Sequence, residues 1–190
     1  MFYNNSALLV MDVQQGIVER FGGIPESLEP FRRAISAART AGIPVIFIRV
    51  AFRDGYPEVS SRNKSFSKIS RRGGMIRDDD LTQIHSSIAP RQDEIVVTKV
   101  RVSAFAGSDL EVVLRARQVD TLVLTGIATS GVVLSTLREA ADKDFLLVVL
   151  SDACVDADPE VHRILVEKIF PRQAEVMTVD AWTEALKGQS

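Results

Sequence analysis

Asp12, Lys99 and the stretch from Gly126 to Gly131 are the residues whose types and positions could do chemistry together. Asp12 closes the apolar run Ala7–Met11 and is followed by Val13-Gln14-Gln15-Gly16. Lys99 closes the run Glu94–Thr98. Thr125-Gly126-Ile127-Ala128-Thr129-Ser130-Gly131 leads from the run Thr121–Thr125 straight into a helical pattern. If these runs are strands of one parallel sheet, ligands bind beyond their carboxyl ends, near the point where strand order reverses. A carboxylate, an ammonium and a helix N-terminus then converge on one edge. That set suits acid–base work beside a stabilised anion. Each residue also has an ordinary structural explanation. Asp is a common turn residue, Lys often ends a strand with its stem on the surface, and Thr129 and Ser130 suit helix caps.

The elements that must position these groups are legible in the hydrophobic pattern. Six short apolar runs recur: Ala7–Met11, Pro44–Val50, Glu94–Thr98, Thr121–Thr125, Phe145–Leu150 and Glu175–Val179. Most are near-continuous and β-branched rather than alternating, as expected of strands covered on both faces. Helix signals lie between them. Ser27 precedes a stretch with Phe31, Ile35 and Ala38 on one face, and Gly42 stands where the chain leaves that helix. Ser108-Asp109-Leu110-Glu111 reads as a capping box, and Asp158-Pro159 as an N-cap followed by proline in the first turn. A further helix is expected from Thr129 to about Asp142. Alternation of this density predicts an α/β sandwich of right-handed crossovers, in one domain over residues 1–190. The long connection from Ala51 to about Arg77 is expected to be structureless and to serve as a lid or rim over a site, or else to be a solvated or oligomer-contacting loop.

Composition narrows the classes. The 190 residues carry a net charge of −2, so there is no electrostatic footprint for nucleic acid. No run approaches membrane-spanning length, and Met1-Phe2-Tyr3-Asn4-Asn5 lacks the basic start of a signal peptide. A single Cys cannot form an internal disulfide, which points to a reducing compartment and a cytoplasmic protein. The two His, His85 and His162, fall on expected helices without metal-ligand spacing, so neither a metal nor a cofactor is expected. Gly126 and Gly131 have P-loop spacing, but Val132-Val133 follow where Lys-Ser/Thr is needed, and neither GxGxxG nor GxSxG occurs. Asp152 and Cys154, read as closing the fifth strand, have structural explanations; a lone Cys in apolar surroundings packs as a small hydrophobe.

Taken in order, these strand ends resemble the isochorismatase-like (cysteine hydrolase) superfamily. The matching pieces are Leu8-Leu9-Val10-Met11-Asp12-Val13-Gln14, Val97-Thr98-Lys99-Val100-Arg101-Val102-Ser103-Ala104-Phe105 and Leu124-Thr125-Gly126-Ile127-Ala128-Thr129. Ser135-Thr136-Leu137-Arg138-Glu139-Ala140 and Ser151-Asp152-Ala153-Cys154, with His162 downstream, complete the set. The resemblance spans nearly the whole chain. It implies a three-layer αβα sandwich around a six-stranded parallel sheet of Rossmann-like topology, and a homo-oligomer, dimer or tetramer. It also implies a triad of Asp, Lys and Cys. Asp12 matches the acid/base and Lys99 the charge partner. Ile127, Ala128, Thr129 and Gly131 match the oxyanion- or anion-binding segment, with a cis peptide at Ile127-Ala128.

The nucleophilic Cys position is Val132, which cannot attack a carbonyl. Nor does the Asp-x-His-x-x-His metal site of nicotinamidases appear; Phe52-Arg53-Asp54-Gly55-Tyr56 stands there. Gln15, Phe52, Arg53, Tyr56, Phe105 and Ser135 are the substrate-pocket candidates. One branch of the superfamily hydrolyses a vinyl ether without a thiolate, the matching Asp protonating the enol ether. The expected function is therefore hydrolysis of a small anionic molecule by a non-thiol mechanism, with Asp12 as acid/base. The alternatives are a catalytically silent small-molecule-binding relative and an amide C–N hydrolase with a displaced nucleophile. Arg53, Arg62, Lys64, Lys68, Arg71 and Arg72 would suit a carboxylate substrate, or form a solvated charge run.

Overall fold

The computed structural model describes residues 5–22 and 28–188. Its sheet has six strands: β1 (Ser6–Met11), β2 (Val45–Val50), β3 (Ile95–Lys99), β4 (Thr121–Ile127), β5 (Leu146–Val155) and β6 (Glu175–Met177). All pair in parallel, in the order β3-β2-β1-β4-β5-β6. The helices are α1 (Gln15–Arg20), α2 (Glu29–Thr40), α3 (Phe66–Arg72), α4 (Leu110–Ala116), α5 (Leu134–Asp142), α6 (Pro159–Ile164) and α7 (Val179–Lys187).

Strand side chains alternate between faces, so each central strand feeds two cores. Leu8, Val10, Phe47, Val123 and Leu150 join Phe31, Ile35 and Ala38 of α2 and Trp182 of α7 on one face. Leu9, Met11, Ile48, Leu124 and Val149 join Leu110 and Leu114 of α4 and Leu137 and Ala140 of α5 on the other. Every residue of β1 and β4 is buried, which explains their continuous apolar sequences. The expected three-layer αβα sandwich is therefore the observed one. No helix among the described residues is long and apolar enough to cross a membrane.

Several expectations hold in detail. Gly42 leaves α2 at φ +70°, a conformation glycine adopts without steric penalty. Asp158 accepts hydrogen bonds from the backbone N–H groups of Glu160 and Val161, with Pro159 in the first turn. Ser27 and Met1–Asn4 lie outside the described residues.

Others are corrected. The capping box does not form: Ser108 Oγ accepts from Leu110 N, and Glu111 instead pairs with Lys143 at 2.7 Å. The connection after Ala51 is not structureless, since it contains α3 and an isolated bridge between Phe52 and Ile76. The fifth strand runs past the apolar run through Ser151–Cys154 to Val155, so Cys154 stands near its end as expected. A register shift between Leu124 and Gly126 lets β5 resume pairing as Gly126 with Cys154 and Ile127 with Val155. The sixth strand stops at Met177 because Thr178 caps α7, accepting from Ala181 N. His85 is not in an α-helix; its side chain accepts from Ser87 N at the start of a short 3-10 turn. The helix expected from Thr129 begins with a π-helical turn, Thr129–Val133, before α5.

Candidate active site

The strand order reverses at β1, whose successors lie on opposite sides of it. Asp12 is the first residue beyond that strand. Its N–H donates to Ile48 O at 2.9 Å, and its φ of +58° turns the chain out of the sheet toward α1. Asp tolerates this left-handed conformation better than most residues, and such conformations cluster at functional sites.

Lys99, the last residue of β3, reaches Asp12 across the end of β2. Its Nζ donates to Asp12 Oδ2 at 2.8 Å, to Arg101 O at 3.0 Å and to Val102 O at 2.9 Å. All three ammonium protons are thus used. Lys99 is 1% exposed and Asp12 6%. The second carboxyl oxygen, Asp12 Oδ1, is buried with no hydrogen-bond partner among the described residues.

Burial pushes the Asp12 carboxyl above its ordinary range, outweighing the charge and hydrogen bond of Lys99, which pull it down. Because the folded-state pKa is raised, the contribution of Asp12 to stability is fully present below its unfolded value. It is lost as pH rises through the folded value. Urea unfolding across a pH series should therefore show wild type losing stability relative to Asp12→Asn as pH rises above about 4. A difference that grows in favour of wild type would mean the carboxylate is stabilised instead.

β4 supplies the neighbouring turn. A Cβ on Gly126 would meet Met11 O at 2.7 Å, so this close approach of β4 to β1 requires glycine. The Ile127-Ala128 peptide is cis, as the resemblance implied. The N–H groups of Gly131 and Val133 both donate to Ala128 O, at 3.1 and 3.3 Å. That of Ser130 donates to Asp156 Oδ2 at 2.7 Å, and Thr129 Oγ1 shares a 2.9 Å hydrogen bond with His162 Nδ1. Burial works against the Asp156 charge, but hydrogen bonds from Ser130 and from the backbone of Asp158 and Ala157 hold its pKa below the ordinary range. A carboxylate of the protein itself therefore lies at this turn. Val132 is buried in the same apolar cluster as Met11, Ala104 and Cys154.

The remaining pocket candidates are dispersed. Gln15 Nε2 donates to Glu19 on the exposed side of α1. Phe52 is fully buried, with its ring 5.6 Å from Phe66 and 6.0 Å from Tyr56. Tyr56 donates its hydroxyl to Gly74 O at 2.7 Å, and Arg53 is paired with Glu58. Phe105 packs 6.0 Å from Phe145 in the core. Ser135 is half-buried on α5.

Sequence reasoning missed three supports of this site. Gln14, beside the chosen Gln15, is the buried one. Its amide accepts from Val50 N and donates to Val50 O and Thr82 O, tying the chain after β1 to the end of β2. Thr136 Oγ1 accepts from Ala104 N at 2.9 Å, fixing the segment after Lys99 to α5. Asp156 with His162 is the third. Gln14, Thr136 and His162 each had a signal, their place in the family pattern, and Asp156 had none.

Cys154 is buried, and desolvation pushes its thiol up to about 12. A thiol in that state is inert. Iodoacetamide at pH 8 should leave the native protein unlabelled over hours and modify Cys154 rapidly in denaturant. Rapid labelling of the native protein would restore Cys154 as a nucleophile candidate.

Comparison with known proteins places this geometry in a family. The isochorismatase domain matches residues 6–181. The isochorismatase family protein YecD of Escherichia coli O157:H7 is 34% identical over 184 residues, covering 95% of this chain and 96% of that protein. The ureidoacrylate amidohydrolase RutB of Methylobacterium radiotolerans is 33% identical over 202 residues, covering 94% of this chain and 78% of its own. Among solved structures, a cysteine hydrolase from Pseudomonas syringae pv. phaseolicola 1448A superimposes with a TM-score of 0.87 at 26% identity. The match covers 98% of this chain and 94% of that one. With its αβα sandwich and a domain match running almost end to end, the chain belongs to the isochorismatase family of hydrolases.

Proposed function

We propose that the protein hydrolyses a small anionic molecule without a thiol nucleophile, using Asp12 as the acid/base and Lys99 as its electrostatic partner. The observation that carries this reading is the Asp12 carboxyl itself. One oxygen is held by Lys99; the other is buried with no partner among the described residues, and burial favours the protonated form of the carboxyl.

Vinyl-ether hydrolysis fits such a group. Asp12 gives its proton to the terminal alkene carbon, and the electron pair of the double bond forms the new C–H bond. The cation left on the oxygen-bearing carbon is taken by water, which returns a proton to Asp12. The resulting hemiketal passes its hydroxyl proton to the ether oxygen as the carbon's bond to that oxygen breaks, giving a carbonyl compound and an alcohol. Lys99 offsets the negative charge on Asp12 between the two proton transfers. The Ile127–Gly131 turn faces the anionic part of the substrate in this reading, in competition with the Asp156 carboxylate. The reading treats residues 1–190 as one domain of a cytoplasmic homo-oligomer.

Amide hydrolysis is the second reading, favoured by the identity to RutB proteins. Val132 and the buried Cys154 oppose it, since neither offers a reactive thiol. A substrate panel separates them. Purified protein incubated with carboxylated enol ethers and with ureido and primary amides should release carbonyl product from the enol ethers. Ammonia release from amides alone would select the second reading, and no turnover of either class would select a silent binding protein.

A further inference from the structure

The cations of the long connection do not form one continuous rim. Arg53 is committed to Glu58, while Lys68 and Arg72 line a cleft of about 540 Å³ together with Arg20 at the end of α1. This volume is in the range of small-molecule sites. Lys68 and Arg72 stand four residues apart on α3, and so on one face, where like charges repel. The helix has no acidic residue to relieve them.

Among the described residues Asp79 is the one carboxylate on the cleft wall, and its Oδ1 already accepts from Leu81 N at 3.0 Å. Three cations thus face one engaged acid. Between them the wall is apolar, through Ile17 and Ile69. Both also pack against the small cluster of Val50, Phe52 and Phe66, and Val50 is the register partner of Lys99. The cleft therefore lies one apolar layer from the strand ends that carry the dyad, and neither Asp12 nor Lys99 lines it.

We propose that this cleft between α1 and α3 binds a small molecule with an apolar body and at least two acidic groups, held by Arg20, Lys68 and Arg72. Two or more negative charges match the excess of cations, and Ile17 and Ile69 cover the ligand's apolar part. Recognition here is electrostatic, so it weakens with salt. It is also independent of the protonation chemistry assigned to Asp12.

The test is isothermal titration of the full-length protein with phthalate, an aromatic ring bearing two carboxylates, and with its neutral dimethyl ester. Wild type should bind one phthalate per chain saturably in 20 mM salt. Affinity should fall at least tenfold in 500 mM salt and at least tenfold in Arg20→Gln and in the double variant Lys68→Gln/Arg72→Gln. These side chains are exposed, and circular dichroism checks that the variants are folded. Asp12→Asn should bind phthalate as wild type does, which separates this site from the dyad. Equal binding of the dimethyl ester, undiminished binding by the double variant, loss of binding in Asp12→Asn, or no saturable binding by wild type would each overturn the proposal.

Discussion

Replacing Asp12 with Asn is expected to lower kcat on a carboxylated enol ether by about 10²–10⁴-fold, the range over which positioned acid–base groups act. The change is nearly isosteric, and the Asn carbonyl can still accept from Lys99. What disappears is the acidic proton at Oδ1, a position with no hydrogen-bond partner among the described residues. Because the loss falls on proton transfer rather than on binding, KM should move by less than about threefold. Steady-state kinetics at the pH of maximal activity, with a thermal melt to show the variant folded, supplies the check. A folded Asp12→Asn enzyme with unchanged kcat would remove Asp12 from the mechanism.

The second large effect belongs to Lys99. Lys99→Met keeps the apolar stem but removes a buried ammonium, leaving Asp12 without its partner and Arg101 O and Val102 O without their donor. Breaking one side of a buried pair costs about 3–5 kcal/mol. Urea unfolding at a pH above the Asp12 midpoint, where both partners are charged, should show that loss as a lower midpoint with little change in slope. The double variant Asp12→Asn/Lys99→Met removes both charges and should recover part of it, the cycle measuring the coupling between the two sites. If Lys99→Met cost less than about 1 kcal/mol, the pair would resemble a screened surface contact rather than the buried one described.

The fold was more legible in the sequence than the site was. The runs ALLVM and TLVLT are continuous because β1 and β4 are covered on both faces, and periodicity reports that burial directly. Asp12 and Lys99 were legible because each ends such a run, and parallel topology sends those ends to one edge. What periodicity cannot report is pairing between distant segments. The buried Gln14 crosslink to Val50 and Thr82, and the Asp156 carboxylate on Ser130 N, depend on loops meeting in space. Gln14 and Gln15 are chemically identical neighbours, and only the tertiary fold buries one and leaves the other beside Glu19. The extension of β5 to Val155 was hidden for a related reason. Ser151 and Asp152 interrupt the apolar pattern where the register shifts, so the run looks finished at Leu150.

The contest between burial and Lys99 over the Asp12 proton decides the account. The most direct measurement is a pH titration of the Asp12 side-chain carboxyl by carbon-13 NMR, assigned through its absence in Asp12→Asn. The expected midpoint lies above the ordinary value of about 3.9, with activity falling through the same midpoint as pH rises. A midpoint at or below the ordinary value would show Lys99 holding Asp12 as the anion, contradicting its assignment as the proton donor.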